Sequence, residues 1–445
     1  MSFPHRSQIE SFRFTQCRFD FSTMTAVLSY AFDDKAFFDE TFVFYDVPAA
    51  VRQREETVNA VLRLLHFAAG VSYYKAFLPE KIFVETAPMS RNEALFFKNF
   101  YENGLGEFAY KNRISPVLNF PFDVREKTAV QTVMLSKKTV VPVGGGKDSI
   151  VTTEVLKKAG FSPVLISVNQ PRPIQETIAL SGCSAIQIRR IVSPVLTEMN
   201  ARARDLGVLN GHVPVTGILA FALALAAVLY DFSDVVMSNE RSANVGNTDF
   251  QGRIVNHQWS KSSEFERDFA ALIKTVLPNF SYFSFLRPLS ELAIAKNFAA
   301  TQIYDAVFTS CNKAFRLDET KRIDRWCGNC DKCRFVFLAL AAFMDKQRLL
   351  NIFKCNPLND ASQTDGFKRL LGLEAFKPFE CVGEIEESAC AFSVVKNKPE
   401  WQNDAVVKAL ASHALPAFDT AKIFALSSNH LVPPEYENAF AFFEK

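Results

Sequence analysis

Apolar and polar positions alternate through residues 9–47: Phe12-Arg13-Phe14-Thr15, then Cys17-Arg18-Phe19-Asp20-Phe21, then Phe42-Val43-Phe44-Tyr45. A period of two predicts half-buried antiparallel strands. The period then changes. From Val51 to Ala69, residues Val58, Val61, Leu62, Leu65 and Ala69 fall on one helical face. Ser90 with Glu93 three residues on makes a capping box and predicts a second helix over 90–103. Residues 1–135 therefore read as an N-terminal α+β domain.

Between about 136 and 340 the chain alternates strand-like runs (139–143, 163–168, 185–190, 233–238 and 282–286) with helical segments. This predicts an α/β fold with a doubly wound parallel sheet, its ligands lying outside the carboxyl ends of the strands. Val213 to Tyr230 carries no charge over 18 residues, which approaches the roughly 20 residues of a membrane span. It contains Pro214 and Gly217 and has no flanking Lys/Arg cluster, so it reads as a helix buried on all sides. Residues 341–445 read as mostly helical, with a strand at Cys390 to Val395.

Composition narrows the class. A chain of 445 residues, 48% hydrophobic and 22% charged, is an ordinary globular protein long enough for two or three domains. A net charge of +2 with scattered Lys and Arg makes no case for a nucleic-acid surface. The residues from Met1 to Ser7 lack the apolar core of a signal peptide, and no membrane span is expected. Of nine cysteines, five (Cys17, Cys183, Cys355, Cys381 and Cys390) are scattered. That argues for a reducing, cytoplasmic setting rather than a disulfide framework.

The strongest chemical signal is Val143-Gly144-Gly145-Gly146-Lys147-Asp148-Ser149, between the β-branched run Thr139–Val143 and the helical run Ile150–Lys158. Strand, glycine turn and helix start together form a phosphate cradle. It is not a Walker A loop, because Val141 stands where the first Gly belongs and Asp148 follows Lys147. It is not a dinucleotide fingerprint either, because Ser149 holds the place of the third Gly. The segment resembles the Ser-Gly-Gly-x-Asp-Ser pattern of the PP-loop, or N-type ATP pyrophosphatase, superfamily, with Gly144 replacing the first Ser. That resemblance implies cleavage of ATP between the α- and β-phosphates and adenylation of a substrate oxygen. It also implies a PP-loop ATP-binding catalytic domain over 136–340.

A second signal is Cys327-Gly328-Asn329-Cys330-Asp331-Lys332-Cys333, with Cys311 lying 16 residues before Cys327. Four thiolates at this spacing can close around Zn²⁺ or an iron–sulfur cluster. The run is similar to the zinc knuckle of 7-cyano-7-deazaguanine synthase, and Arg287–Leu292 to the segment before it, although Ala293 and Ile294 depart from that family's Thr-Lys pair.

Across the whole chain, Val143–Ser149, Ser238–Asn244, Val255–Ser262 and Cys327–Phe335 resemble the MurL family of UDP-N-acetyl-α-D-muramoyl-L-alanyl-L-glutamate epimerases. The resemblance implies ATP-driven inversion of the terminal L-Glu of a UDP-muramoyl dipeptide, a small-molecule substrate. Gly144, Gly145 and Gly146 are expected to cradle pyrophosphate, Lys147 and Ser149 to donate to phosphate oxygens, and Asp148 to hold Mg²⁺. Glu240 is a further metal or substrate ligand, with Asn239 and Asn244 as hydrogen-bonding partners. His257 is the first choice for acid–base work and His212 the second, with Lys261 and Cys183 behind them. Cys311, Cys327, Cys330 and Cys333 are expected to hold a structural Zn²⁺. Two rivals stand beside this reading. One is another PP-loop adenylating enzyme, and the other a non-catalytic nucleotide sensor. The first needs an ammonia or sulfur source, and no glutaminase-like N-terminal Cys is present. The sequence leaves the oligomeric state open.

Overall fold

The computed structural model describes residues 3–114, 118, 120, 121, 132–316, 319–374 and 378–443. Met1 and Ser2, read above for the absence of a glutaminase-like nucleophile, lie outside them. The protein is α/β. Its strands, in chain order, are β1 (Ser11–Asp20), β2 (Thr25–Phe32), β3 (Ala36–Phe44), β4 (Lys81–Val84), β5 (Thr139–Pro142), β6 (Val164–Val168), β7 (Ala185–Ile191), β8 (Asp234–Met237), β9 (Thr248–Phe250), β10 (Arg253–Val255) and β11 (Ser281–Ser284). Two compact units emerge, each discontinuous in sequence. The first is Met1–Lys138 with Ile186–Val235 and Asp249–Tyr282, and the second is Thr139–Ala185 with Val236–Thr248 and Phe283–Lys445.

In the first unit β1, β2 and β3 form the antiparallel meander that the alternation predicts. Along β3 every second residue from Ala36 to Phe44 is buried. The inward side chains Phe12, Phe14, Tyr30, Phe32 and Phe38 pack edge-on and stacked into an aromatic core, which accounts for some of the chain's 44 phenylalanines. The helix Glu55–Ala69 lays its apolar face on that core, and Tyr30 donates its hydroxyl to the His66 carbonyl at 2.9 Å. The residue run 185–190 joins here as β7. It pairs antiparallel with β3, with Phe42 opposite Arg190. Arg190 Nε reaches the buried Glu40 carboxylate at 2.6 Å. A buried ion pair of this kind favours one register over a slip.

The uncharged run of the first unit becomes the helix Val215–Tyr230, of which twelve residues from Gly217 to Leu229 are buried. Among the described residues no helix is long and apolar enough to cross a membrane.

In the second unit β5 and β6 pair in parallel, with Val140 opposite Val164 and Val141 opposite Leu165. The segment 341–445 belongs to this unit and is helical as expected. Its aromatic residues complete the core, with Tyr436 stacked on Phe161 at 4.8 Å and its hydroxyl 2.8 Å from Thr139 Oγ1. One expectation is overturned: Cys390 to Val395 is not a strand but lies in the helix Ile385–Lys396. The run Ala391-Phe392-Ser393-Val394-Val395 has β-branched character. Burial of Ala389, Cys390, Ala391, Phe392 and Val395 within the helical core outweighs that local preference.

Candidate functional site

In the second unit the chain leaves β5, turns through Val143–Gly146 and enters the helix Lys147–Lys158. The Val143 N–H donates to the Ile166 carbonyl at 2.8 Å, so the turn starts on a fixed strand. Gly145 has a φ of +75°, a left-handed conformation that favours glycine. At Gly146 a Cβ would lie 2.9 Å from Ser310 Oγ, so a side chain there meets a neighbour. Gly144, where the PP-loop pattern has Ser, faces open space, and a Cβ added there would meet no atom within 4 Å. The Thr309 N–H donates to the Gly145 carbonyl at 2.9 Å. Beside it, the Ser310 hydroxyl is buried and has no hydrogen-bond partner among the described residues. A buried hydroxyl without a partner, set against a glycine at a helix start, fits an anion such as a phosphate oxygen. Ser310 carries no signal of its own in the sequence, where it reads only as the neighbour of Cys311.

Lys147 does not lie open to the cradle. It is fully buried, and its ammonium pairs with both Asp148 and Glu291. Burial alone lowers a lysine pKa, but the attraction of the two carboxylates outweighs it and holds Lys147 protonated. Glu291 opens the helix Glu291–Ala299, capped by Ser290, and its other oxygen lies 3.8 Å from Lys332 Nζ. Ser149 is buried and its hydroxyl donates to the Gly146 carbonyl at 3.3 Å.

The Ser238–Glu240 stretch leaves the carboxyl end of β8. Asn239 donates to Ser284 Oγ at 3.0 Å, and the buried Arg287 donates to the Glu240 carbonyl at 2.6 Å. Glu240 is itself only 3% exposed, a buried carboxylate rather than part of a solvated loop. Asn244 is exposed in the short helix that follows. Cys183, also in this unit, is half-buried with its thiol 3.8 Å from the Ser181 carbonyl.

The four predicted thiols converge in the same unit. All four Sγ atoms lie within 4.8 Å of one another, with Cys311–Cys330 at 4.0 Å and Cys327–Cys333 at 3.7 Å. Zn–S bonds of about 2.3 Å place tetrahedral sulfurs about 3.8 Å apart, so the donor set fits that ion. These separations are far beyond the ~2 Å of a disulfide.

The two histidines singled out from the sequence meet in the first unit. The Glu107 carboxylate, on the short helix Gly106–Asn112, takes His257 Nδ1 and lies 3.6 Å from His212 Nδ1. The imidazole centroids are 4.5 Å apart. Glu107 is invisible in the sequence, where nothing separates it from any other helical glutamate. Gly104 packs against Pro214, where a Cβ would sit 2.5 Å from Cγ, and this close approach brings the His212 segment to the Glu107 helix. Burial would raise the Glu107 pKa, but the hydrogen bond and charge of His257 outweigh it and pull it down to about 2. His212 is pushed down to about 4, first by burial and then by the charge of His257. His212 is therefore neutral at ordinary pH. The ligating atoms of this trio are close enough for a metal. Lys111, paired with Glu107, and Lys261, which adds positive charge at His212, disfavour a dication there.

These shifts carry a stability consequence. His66 is held at about 4 by burial, below its ordinary 6.5, so folding favours its neutral form. Its contribution is complete above 6.5 and is lost as the pH falls towards 4, with His212, a quarter exposed, adding a smaller part of the same sign. We expect unfolding free energy to fall by about 1.4 kcal/mol per pH unit for His66 between about pH 6.5 and about pH 4. Denaturant melts of wild type and His66→Gln across that range check it: the variant's slope is shallower.

The same chain aligns with relatives along nearly its whole length. The model of the MurL N-terminal domain matches residues 4–285, and that of the MurL C-terminal domain matches residues 307–423. A protein of Xanthomonas oryzae pv. oryzae described as UDP-N-acetyl-alpha-D-muramoyl-L-alanyl-L-glutamate epimerase is 40% identical over 443 residues, covering 98% of this chain and 97% of its own. Proteins of the same description from Micromonospora sp. and Salinispora tropica are each 40% identical, covering 98% and 97% of this chain and 98% and 96% of their own.

Proposed function

Because this chain belongs to the MurL family, we propose that it is an ATP-dependent epimerase that inverts the terminal L-Glu of UDP-N-acetylmuramoyl-L-alanyl-L-glutamate to D-Glu in peptidoglycan precursor synthesis. The observation that carries this reading is 40% identity to three such epimerases along nearly the whole of both chains. The second unit is read as a PP-loop ATP pyrophosphatase-like domain, and the protein as cytoplasmic.

The chemistry explains why ATP is consumed. L- and D-Glu at a chain end are nearly equal in energy, so the obstacle is kinetic. Taking the Cα proton beside a carboxylate builds an enolate next to an existing negative charge. When a carboxylate oxygen of the substrate attacks the α-phosphorus of ATP, pyrophosphate leaves and that charge is removed. The Cα–H of the acyl-adenylate is then acidic enough for a side-chain base, with each ~1.4 kcal/mol saved worth tenfold in rate. A solvent proton is delivered on the opposite face, and water cleaves the adenylate to AMP and the inverted acid.

Gly144, Gly145 and Gly146 hold the polyphosphate in this reading, with the Ser310 hydroxyl, without a partner among the described residues, as a donor and the Ser149 hydroxyl turning to it from the Gly146 carbonyl. Asp148 and Glu240 are the carboxylates for Mg²⁺, Lys147 fixes Asp148 against Glu291, and Asn239 and Asn244 contact the nucleotide. Cys311, Cys327, Cys330 and Cys333 hold a structural Zn²⁺, whose four thiolates leave no open position for water. His257 handles the proton, steered by Glu107. His212 and His257 do not flank Cα from opposite faces as they stand, because a carbon between two rings needs about 7 Å and their centroids are 4.5 Å apart. The pair acts on one face, with neutral His212 as proton acceptor for His257.

The test is incubation with Mg·ATP and the dipeptide substrate in D₂O. AMP, pyrophosphate and D-Glu carrying deuterium at Cα are expected together. AMP without inversion would instead favour another carboxylate-adenylating reaction on the same cradle, and no AMP would end the reading.

A further inference from the structure

The first unit contains a cavity of about 350 Å³ that none of the roles above uses. Its walls are the helix Arg91–Gly104, the start of the helix Gly106–Asn112 and the β9–β10 ribbon. Four features of the lining point to one kind of ligand. Trp259 is 5% exposed, and its indole N–H is buried without an acceptor among the described residues. Such a donor is costly unless a ligand oxygen meets it. Asn103 gives its amide N–H to Asn99 at 2.6 Å, which leaves its carbonyl oxygen to accept. Phe250, in edge contact with Tyr110 at 5.5 Å, offers an aromatic surface, and Ile254 on the ribbon is 75% exposed. Lys98 and Arg253 add two cations, the latter braced by Glu102 at 3.2 Å.

An N–H donor and a carbonyl acceptor beside an aromatic ring complement a flat heterocycle that carries carbonyl oxygens and a ring N–H. Uracil is such a ring. The cations complement an attached diphosphate. We propose that this cavity binds the uridine diphosphate end of the substrate, with Trp259 donating to a uracil carbonyl and Arg253 and Lys98 facing the diphosphate. The identity of the nucleotide rests on the epimerase reading; the shape and polarity of the cavity do not. ATP is served separately, by the glycine loop of the second unit.

The test uses full-length protein and UDP alone, titrated calorimetrically without ATP. Trp259→Phe keeps a ring and removes the N–H, and is expected to weaken UDP about tenfold, as befits one lost hydrogen bond. Arg253→Ala changes a side chain that is 70% exposed, so folding is not at stake. It is expected to raise the KM for the UDP-dipeptide several-fold while the KM for ATP and kcat at saturation hold. Unchanged UDP affinity in both variants, or no UDP binding to the wild type at millimolar concentration, overturns the assignment. Trp259-dependent UDP binding in a protein that forms neither AMP nor D-Glu upholds the uridine site and removes the epimerase reading instead.

Discussion

A Lys147→Met variant is expected to be less stable by about 3–5 kcal/mol, because it strips the nearer of two cations from a buried carboxylate. Lys147 and Glu291 are both essentially inaccessible, and the lysine ammonium bridges Glu291 and Asp148. Without that cation, Glu291 keeps only Lys332, 3.8 Å from its other oxygen, and is left buried near Asp148 and Glu240, whose charges push its pKa in the same direction as burial does. A second change, Glu291→Gln, is expected to restore most of that stability by removing the poorly compensated charge. It does not restore activity. Asp148 loses the ammonium that orients it, and AMP formation falls by about a hundredfold or more, the scale of losing one oriented group at a transition state. Urea unfolding of the two single variants and the double variant, read beside AMP release, separates the two effects. If Lys147→Met unfolds at the wild-type midpoint, the buried pair is not holding the loop.

The second large effect concerns the cysteine cluster. Wild-type protein is expected to carry about one zinc per chain, and Cys330→Ser to lose it. Cys311 lies one residue from Ser310, which sits against Gly146, and two from Thr309, whose N–H holds the Gly145 carbonyl. Loss of the metal therefore loosens the cradle as well as the knuckle. Taking about 3 kcal/mol for the loss, the melting temperature falls by roughly 6–12 °C, and AMP formation falls with it. Metal analysis, visible absorption and thermal melts decide the matter. A wild type with iron and visible charge-transfer bands would make the site an iron–sulfur centre, and a metal-free wild type of equal stability would leave four plain thiols.

Much of this was legible in the residues because it depends on neighbours in the chain. The meander of β1 to β3 follows from alternation, and the helix beginning after Ser90 follows from a capping box that the structure contains, with Ser90 and Glu93 each satisfying the other's backbone. The Gly144–Ser149 turn lies between strand and helix as its composition dictates. Where the reading failed, local preference and burial disagreed: Val394 and Val395 favour a strand, yet the surrounding core takes them as helix.

The sequence by itself determined the family, the glycine turn between strand and helix and the identity of the four thiols, because a motif is a spacing and spacing is linear. Only the tertiary structure decided which groups meet across long separations. It placed Glu291 on Lys147, Ser310 against Gly146, and Glu107 between His212 and His257. It also took the run 185–190 into the unit of β3, through an antiparallel register and the Glu40–Arg190 pair. Glu291, Glu107 and Glu40 carry no local signature, since a buried carboxylate and a solvated one are the same letter. Their roles come from desolvation and from the charge or ring brought alongside, and both exist only once the chain has closed on itself.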